Sequence, residues 1–269
     1  MEPRLKRVRP PWREAAADED EDTAPRRRGI FLLPNLFTTA ALFAGFYSII
    51  AAMSGLFTAA SIAIFIAMVL DGLDGRVARF TGTASAFGAQ YDSLSDLIAF
   101  GLAPALLVYR FALEGLVDYG WIWAKIGWLA AFFYAVATAL RLARFNTRSG
   151  TVGKRFFQGL PCPAAAALIA GLIWFTQSIG VSAHMLAIPA LVFTVFAAAL
   201  MVSNLGYYSF KELRLDRRLA FPSVLAVPLL FIFVTLSPPG VLFGVFLLYA
   251  ISAPAWWTIR LYRRRRRRG

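Results

Sequence analysis

Residues 56–79 read LFTAASIAIFIAMVLDGLDGRVAR: Leu56 to Leu70 carry no charge, and Asp71, Asp74, Arg76 and Arg79 follow at once. A membrane-spanning helix needs about 20 predominantly apolar residues. The stretch 56–75 meets that length and collects its charges at one end. Seven further stretches read the same way, giving eight spans at roughly 30–53, 56–75, 87–110, 121–143, 161–179, 184–203, 221–237 and 240–260. Some contain Pro or Gly, which membrane helices tolerate. The chain of 269 residues is 59% apolar and 16% charged, whereas soluble domains are about half apolar and about a quarter charged. The expected fold is an all-α integral membrane bundle of about eight transmembrane helices.

Charge orients the bundle. All but Arg110 and Lys125 of the 28 Lys and Arg residues fall on one side of it. The positive-inside rule then puts both termini in the cytoplasm, so the chain is expected to be a multi-pass protein of the inner (cytoplasmic) cell membrane. Residues 1–29 alternate basic and acidic patches without an early apolar region or cleavage site, which reads as a disordered charged cytoplasmic tail rather than a signal peptide. Residues 262–269 form a basic cytoplasmic tail. Its run Arg263–Arg268 serves as an orientation anchor that attracts anionic lipid head groups. A nucleic-acid partner, the other reading of such a run, is not expected beside eight spans.

Cys162 and His184 are single. No intrachain disulfide is possible and no Cys/His cluster exists for zinc, so any metal is held by oxygen. Apart from tail and loop acids, four carboxylates remain in or beside the spans: Asp71, Asp74, Asp92 and Asp96. Ionisable groups in such places are costly and mark function by default. Asp71 and Asp74 are i,i+3 at the cytoplasmic end of one span, and Asp92 and Asp96 are i,i+4 at the start of the next, so each pair shares a helical face. A short connection around Thr81–Ser85 lets the two faces meet. Four carboxylates in one pocket repel unless cations neutralise them, and Mg²⁺ or Mn²⁺ suits an all-oxygen set. A structural ion network with Arg76 and Arg79 is the competing explanation.

The residues between the acids add detail. Gly72 and Gly75 remove side-chain bulk, either for the approach of a ligand or for helix packing through small residues. Arg79, one turn after Gly75, is suited to clamping a phosphate oxygen, and Ala78 and Gly88 keep neighbouring surfaces small. Together these residues suit phosphoryl chemistry on a lipid at the cytoplasmic boundary of the membrane. Residues 30–261 are therefore expected to form a transmembrane catalytic domain with its active site on that side.

Asp71, Gly72, Asp74, Gly75, Ala78, Arg79, Gly88, Asp92 and Asp96 match every fixed position of a known signature, and the chain resembles the CDP-alcohol phosphatidyltransferase family. Leu33–Thr38, Arg141–Asn146, Gly159–Ala165 and Met201–Asn204 resemble its phosphatidylserine synthase branch. Ala41 and Cys162 depart from that branch, where Asn and Ser are more usual. The resemblance implies that Asp71, Asp74, Asp92 and Asp96 bind two divalent ions, Mg²⁺ or Mn²⁺, with Asp96 also the general base. It implies CDP-diacylglycerol contacts from Gly72, Gly75, Ala78, Arg79, Ser85, Gly88, Asn35 and Thr38, and a homodimer.

The implied reaction passes a phosphatidyl group from CDP-diacylglycerol to the hydroxyl of L-serine and releases CMP, within a membrane-lipid setting. Arg141, Arg144 and Asn146 are the candidates for holding serine, with Gln158 a weaker one. Arg148, Lys154 and Arg155 are read as orientation charges, and His184 as a loop residue on the far side. The alternatives are another acceptor, such as glycerol 3-phosphate or inositol phosphate, or a cation transporter. Against the transporter, the acids lie near one membrane face rather than at the midplane.

Overall fold

A computed structural model describes residues 32–82, 85–148, 156–208 and 237–266. The expected tail at 1–29 and nearly all of the expected span at 221–237 lie outside the described residues. The described chain is a helical bundle. Helix α1 spans Leu32–Met53, α2 Phe57–Thr81, α3 Ala86–Asp96, α4 Ala103–Phe111, α5 Trp121–Arg148, α6 Cys162–Ser178, α7 Ala183–Val202 and α8 Pro238–Arg266. Among the described residues six helical stretches are long and apolar enough to cross a membrane, and Cys162–Ser178 is a shorter apolar helix. Each of the seven coincides with an expected span. Helix α8 continues to Arg266, so the first part of the expected basic tail at 262–269 is helical.

Two features go beyond the expected spans. First, the third one is not a plain helix over 87–110. It runs Ala86–Tyr119 as α3, a π-helical segment Leu97–Leu102, α4 and a 3₁₀ segment Leu113–Tyr119. The π segment begins directly after Asp96, and at its far end the Ala103 N–H bonds back to the Ile98 carbonyl. Such bulges shift the phase of a helix and recur at functional sites. Second, β1 (Phe156–Gln158) pairs antiparallel with β2 (Gly206–Tyr208), with Gln158 opposite Gly206. This strap joins the segment before α6 to the segment after α7. Gly159 is required beside it: its φ is +79°, and an added Cβ would run into the Met201 carbonyl.

Helix α1 organises the acidic end. It packs along α2 and also against α3, the π segment and α4. Lipid tails are as apolar as leucine, so helices in a membrane associate through close packing and interhelical hydrogen bonds rather than hydrophobic exclusion. The chain follows that rule. Gly45 lets α1 touch the π segment so closely that an added Cβ would sit 2.6 Å from Ala99 Cα. Gly101 meets Thr138 of α5 in the same way. Ser48 Oγ donates to the Ala60 carbonyl at 2.8 Å, and Tyr134 Oη donates to the Phe100 carbonyl at 3.2 Å. The core around these contacts is rich in alanine, from Ala44 and Ala52 on α1 to Ala164–Ala167 on α6.

Candidate active site

Helix α2 ends at Thr81, and Gly82, with φ +64°, reverses the chain. Ser85 then caps α3, its Oγ accepting the Gly88 N–H at 3.0 Å. A serine cap satisfies one of the orphan donors of a helix start, so α3 begins at a fixed point and carries Asp92 back towards α2. Carboxylate oxygens of Asp71, Asp74 and Asp92 all lie within 4.8 Å of one another. Asp96, one turn further along α3, is in contact with Asp71. The two acidic faces meet as their spacing predicts.

This arrangement is electrostatically costly by itself. Two like charges at such a separation repel by about 3 kcal/mol at an effective dielectric of roughly 20. Asp74 is buried, 5% exposed, and Asp92 Oδ1 is buried with no hydrogen-bond partner among the described residues. An orphaned buried carboxylate oxygen in an all-oxygen cluster fits a hard divalent cation, which would satisfy it and offset the repulsion. The residues present therefore fit a metal site, with Asp71, Asp74 and Asp92 as its geometric core.

The remaining expected residues fall around this core. A Cβ added at Gly72 or Gly75 would meet nothing within 4 Å. Among the described residues no neighbouring helix uses these glycines for packing, and they leave an open surface beside the acids. At Gly88 an added Cβ would sit 3.2 Å from Ser85 Oγ and 3.6 Å from Asn35 Oδ1, which brings Asn35, Ser85 and Gly88 together at the start of α3. Thr38 donates from Oγ1 to Asp74 Oδ2 at 2.8 Å. Ala78 and Arg79 lie on α2, but their side chains are outside the described residues.

Helix α5 reaches the same site. Asn146 Nδ2 donates to Ser93 Oγ at 3.0 Å, next to Asp92 in sequence. Arg141 Nη1 donates to Cys162 Sγ at 3.3 Å, its Nε is buried without a partner among the described residues, and Cys162 is close enough to feel the charges of both Arg141 and Asp96. Arg144 is committed differently. It donates to the Val202 carbonyl at 3.2 Å, to Gln158 Oε1 at 2.6 Å and to Asn204 Oδ1 at 2.9 Å, tying α5 to the strap and the end of α7. His184 lies in the first turn of α7, exposed, with Nε2 3.7 Å from Asp118 Oδ2, away from the acids.

Several contributors carry no signal that local sequence pattern can pick out. Ser95 Oγ donates to the Thr38 carbonyl at 3.1 Å, and Thr39 Oγ1 and Tyr91 Oη lie 2.9 Å apart. Cys162, notable in the sequence only as a departure from a usual serine, is the contact of Arg141. Ser93 and Ser95 flank the acid face of α3, and a polar residue between two intramembrane acids is the one hint available. Their partners on α1 and α5 are 57 and 53 residues away in sequence, so no local pattern identifies them.

The family model of the CDP-alcohol phosphatidyltransferases matches residues 31–205. The chain is 36% identical over 222 residues to the CDP-diacylglycerol–serine O-phosphatidyltransferase of Helicobacter pylori (strain ATCC 700392 / 26695), covering 82% of this chain and 90% of that protein. It is 40% identical over 157 residues to the enzyme of the same name from Mycobacterium leprae, covering 55% of this chain and 50% of that one. It is also 37% identical over 179 residues to the archaetidylserine synthase of Methanothermobacter thermautotrophicus, covering 65% of this chain and 69% of that protein.

Proposed function

The chain belongs to the CDP-alcohol phosphatidyltransferase family, and from that premise we propose that it is a CDP-diacylglycerol–serine O-phosphatidyltransferase. It transfers the phosphatidyl group of CDP-diacylglycerol to the hydroxyl of L-serine and releases CMP. The relatives support serine in particular. The Helicobacter pylori and Methanothermobacter thermautotrophicus relatives carry different names, yet serine is common to both. The observation that carries the reading is the convergence of Asp71, Asp74 and Asp92 beside Asp96.

Asp71, Asp74, Asp92 and Asp96 would hold two divalent ions, Mg²⁺ or Mn²⁺. When bound, such ions supply neutralisation of the pyrophosphate charge and stabilisation of the attacking and leaving oxygens. The rest falls to the protein. The open surface at Gly72 and Gly75 admits the head group, Asn35, Ser85 and Gly88 lie together at the start of α3 to contact it, and the family resemblance adds Ala78 and Arg79 of α2. Asp96 accepts the proton of the serine hydroxyl, whose oxygen attacks the phosphorus bonded to diacylglycerol. A new P–O bond to serine forms, the P–O bond to CMP breaks, and CMP departs. Positioning and charge neutralisation do most of the work in such transfers.

The acceptor's carboxylate needs a cation. Arg141 suits it, because its buried Nε has no partner among the described residues. Asn146 orders Ser93, and Arg144 holds the strap that closes this side. Arg141→Ala is expected to raise the KM for serine by about 10- to 100-fold, consistent with a charged hydrogen bond of roughly 1.5–3 kcal/mol, while the KM for CDP-diacylglycerol stays within about threefold. An unchanged serine KM would remove Arg141 from the acceptor pocket. The excess of Lys and Arg beside the acids supports a cytoplasmic site with both termini on that side, and the family resemblance supports a homodimer.

The test is CMP release by purified protein with CDP-diacylglycerol and Mg²⁺ or Mn²⁺, offering serine, glycerol 3-phosphate or inositol phosphate. Serine alone is expected to drive release, and a chelator to stop it. Release with a phosphate-bearing acceptor instead would keep the chemistry and overturn serine. No release with any acceptor would return the cation-transporter reading.

A further inference from the structure

Thr38 belongs by resemblance with the CDP-diacylglycerol contacts, but its surroundings give it another task. The residue is 4% exposed and its partner Asp74 is 5% exposed. Its hydroxyl donates to Asp74 Oδ2 at 2.8 Å, while its own carbonyl accepts from Ser95 Oγ at 3.1 Å. Ser95, 2% exposed, sits immediately before Asp96 on α3. One residue of α1 thus links the acid-bearing faces of α2 and α3, and α1 is the helix on which both pack.

From this geometry we propose that Thr38 is a positioning residue of the metal site: its hydroxyl fixes the Asp74 carboxylate, and Ser95 fixes Thr38. A carboxylate whose second oxygen is unbonded rotates about its terminal torsion, which is broad and roughly two-fold. Committing Oδ2 to Thr38 removes that freedom before any cation arrives. Partners of this kind orient metal ligands, and their loss typically weakens metal affinity about 10- to 100-fold. The link also has a register function. The Thr38 carbonyl bonds Ser95 three residues after Asp92, so α3 cannot slide or rotate against α2 without breaking a buried hydrogen bond. A buried hydroxyl without a partner is costly in such a place, which makes the arrangement discrete. The sequence pattern carries no sign of it, since Thr38 and Asp74 are 36 residues apart.

The inference rests on the reading of the aspartates as a metal site, and the experiment separates the two. Mn²⁺ binding to the full chain in detergent is measured by electron paramagnetic resonance, without substrate, for wild type, Thr38→Val, Thr38→Ser and Ser95→Ala. Thr38→Val is expected to bind Mn²⁺ about 10- to 100-fold more weakly. Thr38→Ser, which keeps the hydroxyl, stays within about threefold of wild type, and Ser95→Ala falls between. The melting temperature in chelator shows that each variant is folded, and Thr38→Ala replaces Thr38→Val if the latter does not fold. Unchanged Mn²⁺ affinity in Thr38→Val together with a raised KM for CDP-diacylglycerol would overturn the inference in favour of a direct substrate contact. Equal loss in Thr38→Ser and Thr38→Val would overturn it in favour of packing by the threonine methyl group. Absence of Mn²⁺ binding by wild type would remove the metal reading itself, and this inference with it.

Discussion

Asp96→Asn is expected to lower turnover about a thousandfold while leaving the binding of CDP-diacylglycerol within a few-fold of wild type. General base catalysis contributes on the order of 10²–10⁴ in rate, and the carboxamide keeps the shape of the side chain while losing the ability to take a proton. The position is specific. Asp96 is one turn beyond Asp92 and in contact with Asp71. Asp74, by contrast, has its Oδ2 occupied by Thr38. The π segment that starts at Leu97 re-phases the helix directly after Asp96, so the apolar residues that follow pack on α1 and α5 without turning the acid away. CMP release measured at saturating serine, beside equilibrium binding of the lipid substrate, checks the result. Turnover within tenfold of wild type would pass the base role to another group.

Asp92→Asn is expected to abolish metal-dependent CMP release and yet make the metal-free protein more stable. The wild-type side chain is half-buried, with Oδ1 unpartnered among the described residues and carboxylate oxygens of Asp71 and Asp74 within 4.8 Å. Without a cation, that charge stands among like charges, and a buried unsatisfied group costs about 1–3 kcal/mol. The amide removes the repulsion at nearly constant volume. At roughly 2–4 °C per kcal/mol for a chain of this size, the melting temperature in chelator rises by several degrees. Added Mn²⁺ then reverses the order, raising wild type well above the variant. Such an exchange of stability for function is the usual signature of an active-site charge cluster. A variant that melts below wild type in chelator would show that Asp92 has a structural partner, and the repulsion account would fail.

Much of this architecture is legible in the amino-acid sequence. The apolar runs mark seven of the described helices, because hydrocarbon length and backbone hydrogen bonding leave a spanning segment little choice but a helix of about 20 residues. The acid pairs at i,i+3 and i,i+4 place Asp71 with Asp74 and Asp92 with Asp96, since helical phase alone decides which residues share a face. Ser85 is linked to its site in the sequence only by resemblance. Its physical role, capping α3 through Gly88, depends on the chain geometry.

Other residues change meaning in three dimensions. Gly72 and Gly75 admit both a packing and a ligand reading, and only the space left open above them among the described residues separates the two. Arg141 and Arg144 look equivalent, three residues apart on one helix. In the bundle Arg144 is taken up by Gln158, Asn204 and the Val202 carbonyl, whereas Arg141 keeps a buried donor unmet among the described residues. The strap that supplies Gln158 joins residues about fifty positions apart.

The sequence by itself determined the class of fold, the helix that carries each acid and the hard-oxygen character of the site, because each of these follows from local composition or from the 3.6-residue period. The tertiary structure decided which residues meet across helices: Thr38 bonding Asp74, Ser95 bonding Thr38, Asn146 reaching Ser93, and Gly45 admitting the π segment to α1. Those contacts depend on how helices cross. Crossing is set by close packing of small residues and by hydrogen bonds made once the helices are already in place, so it leaves no local pattern along the chain.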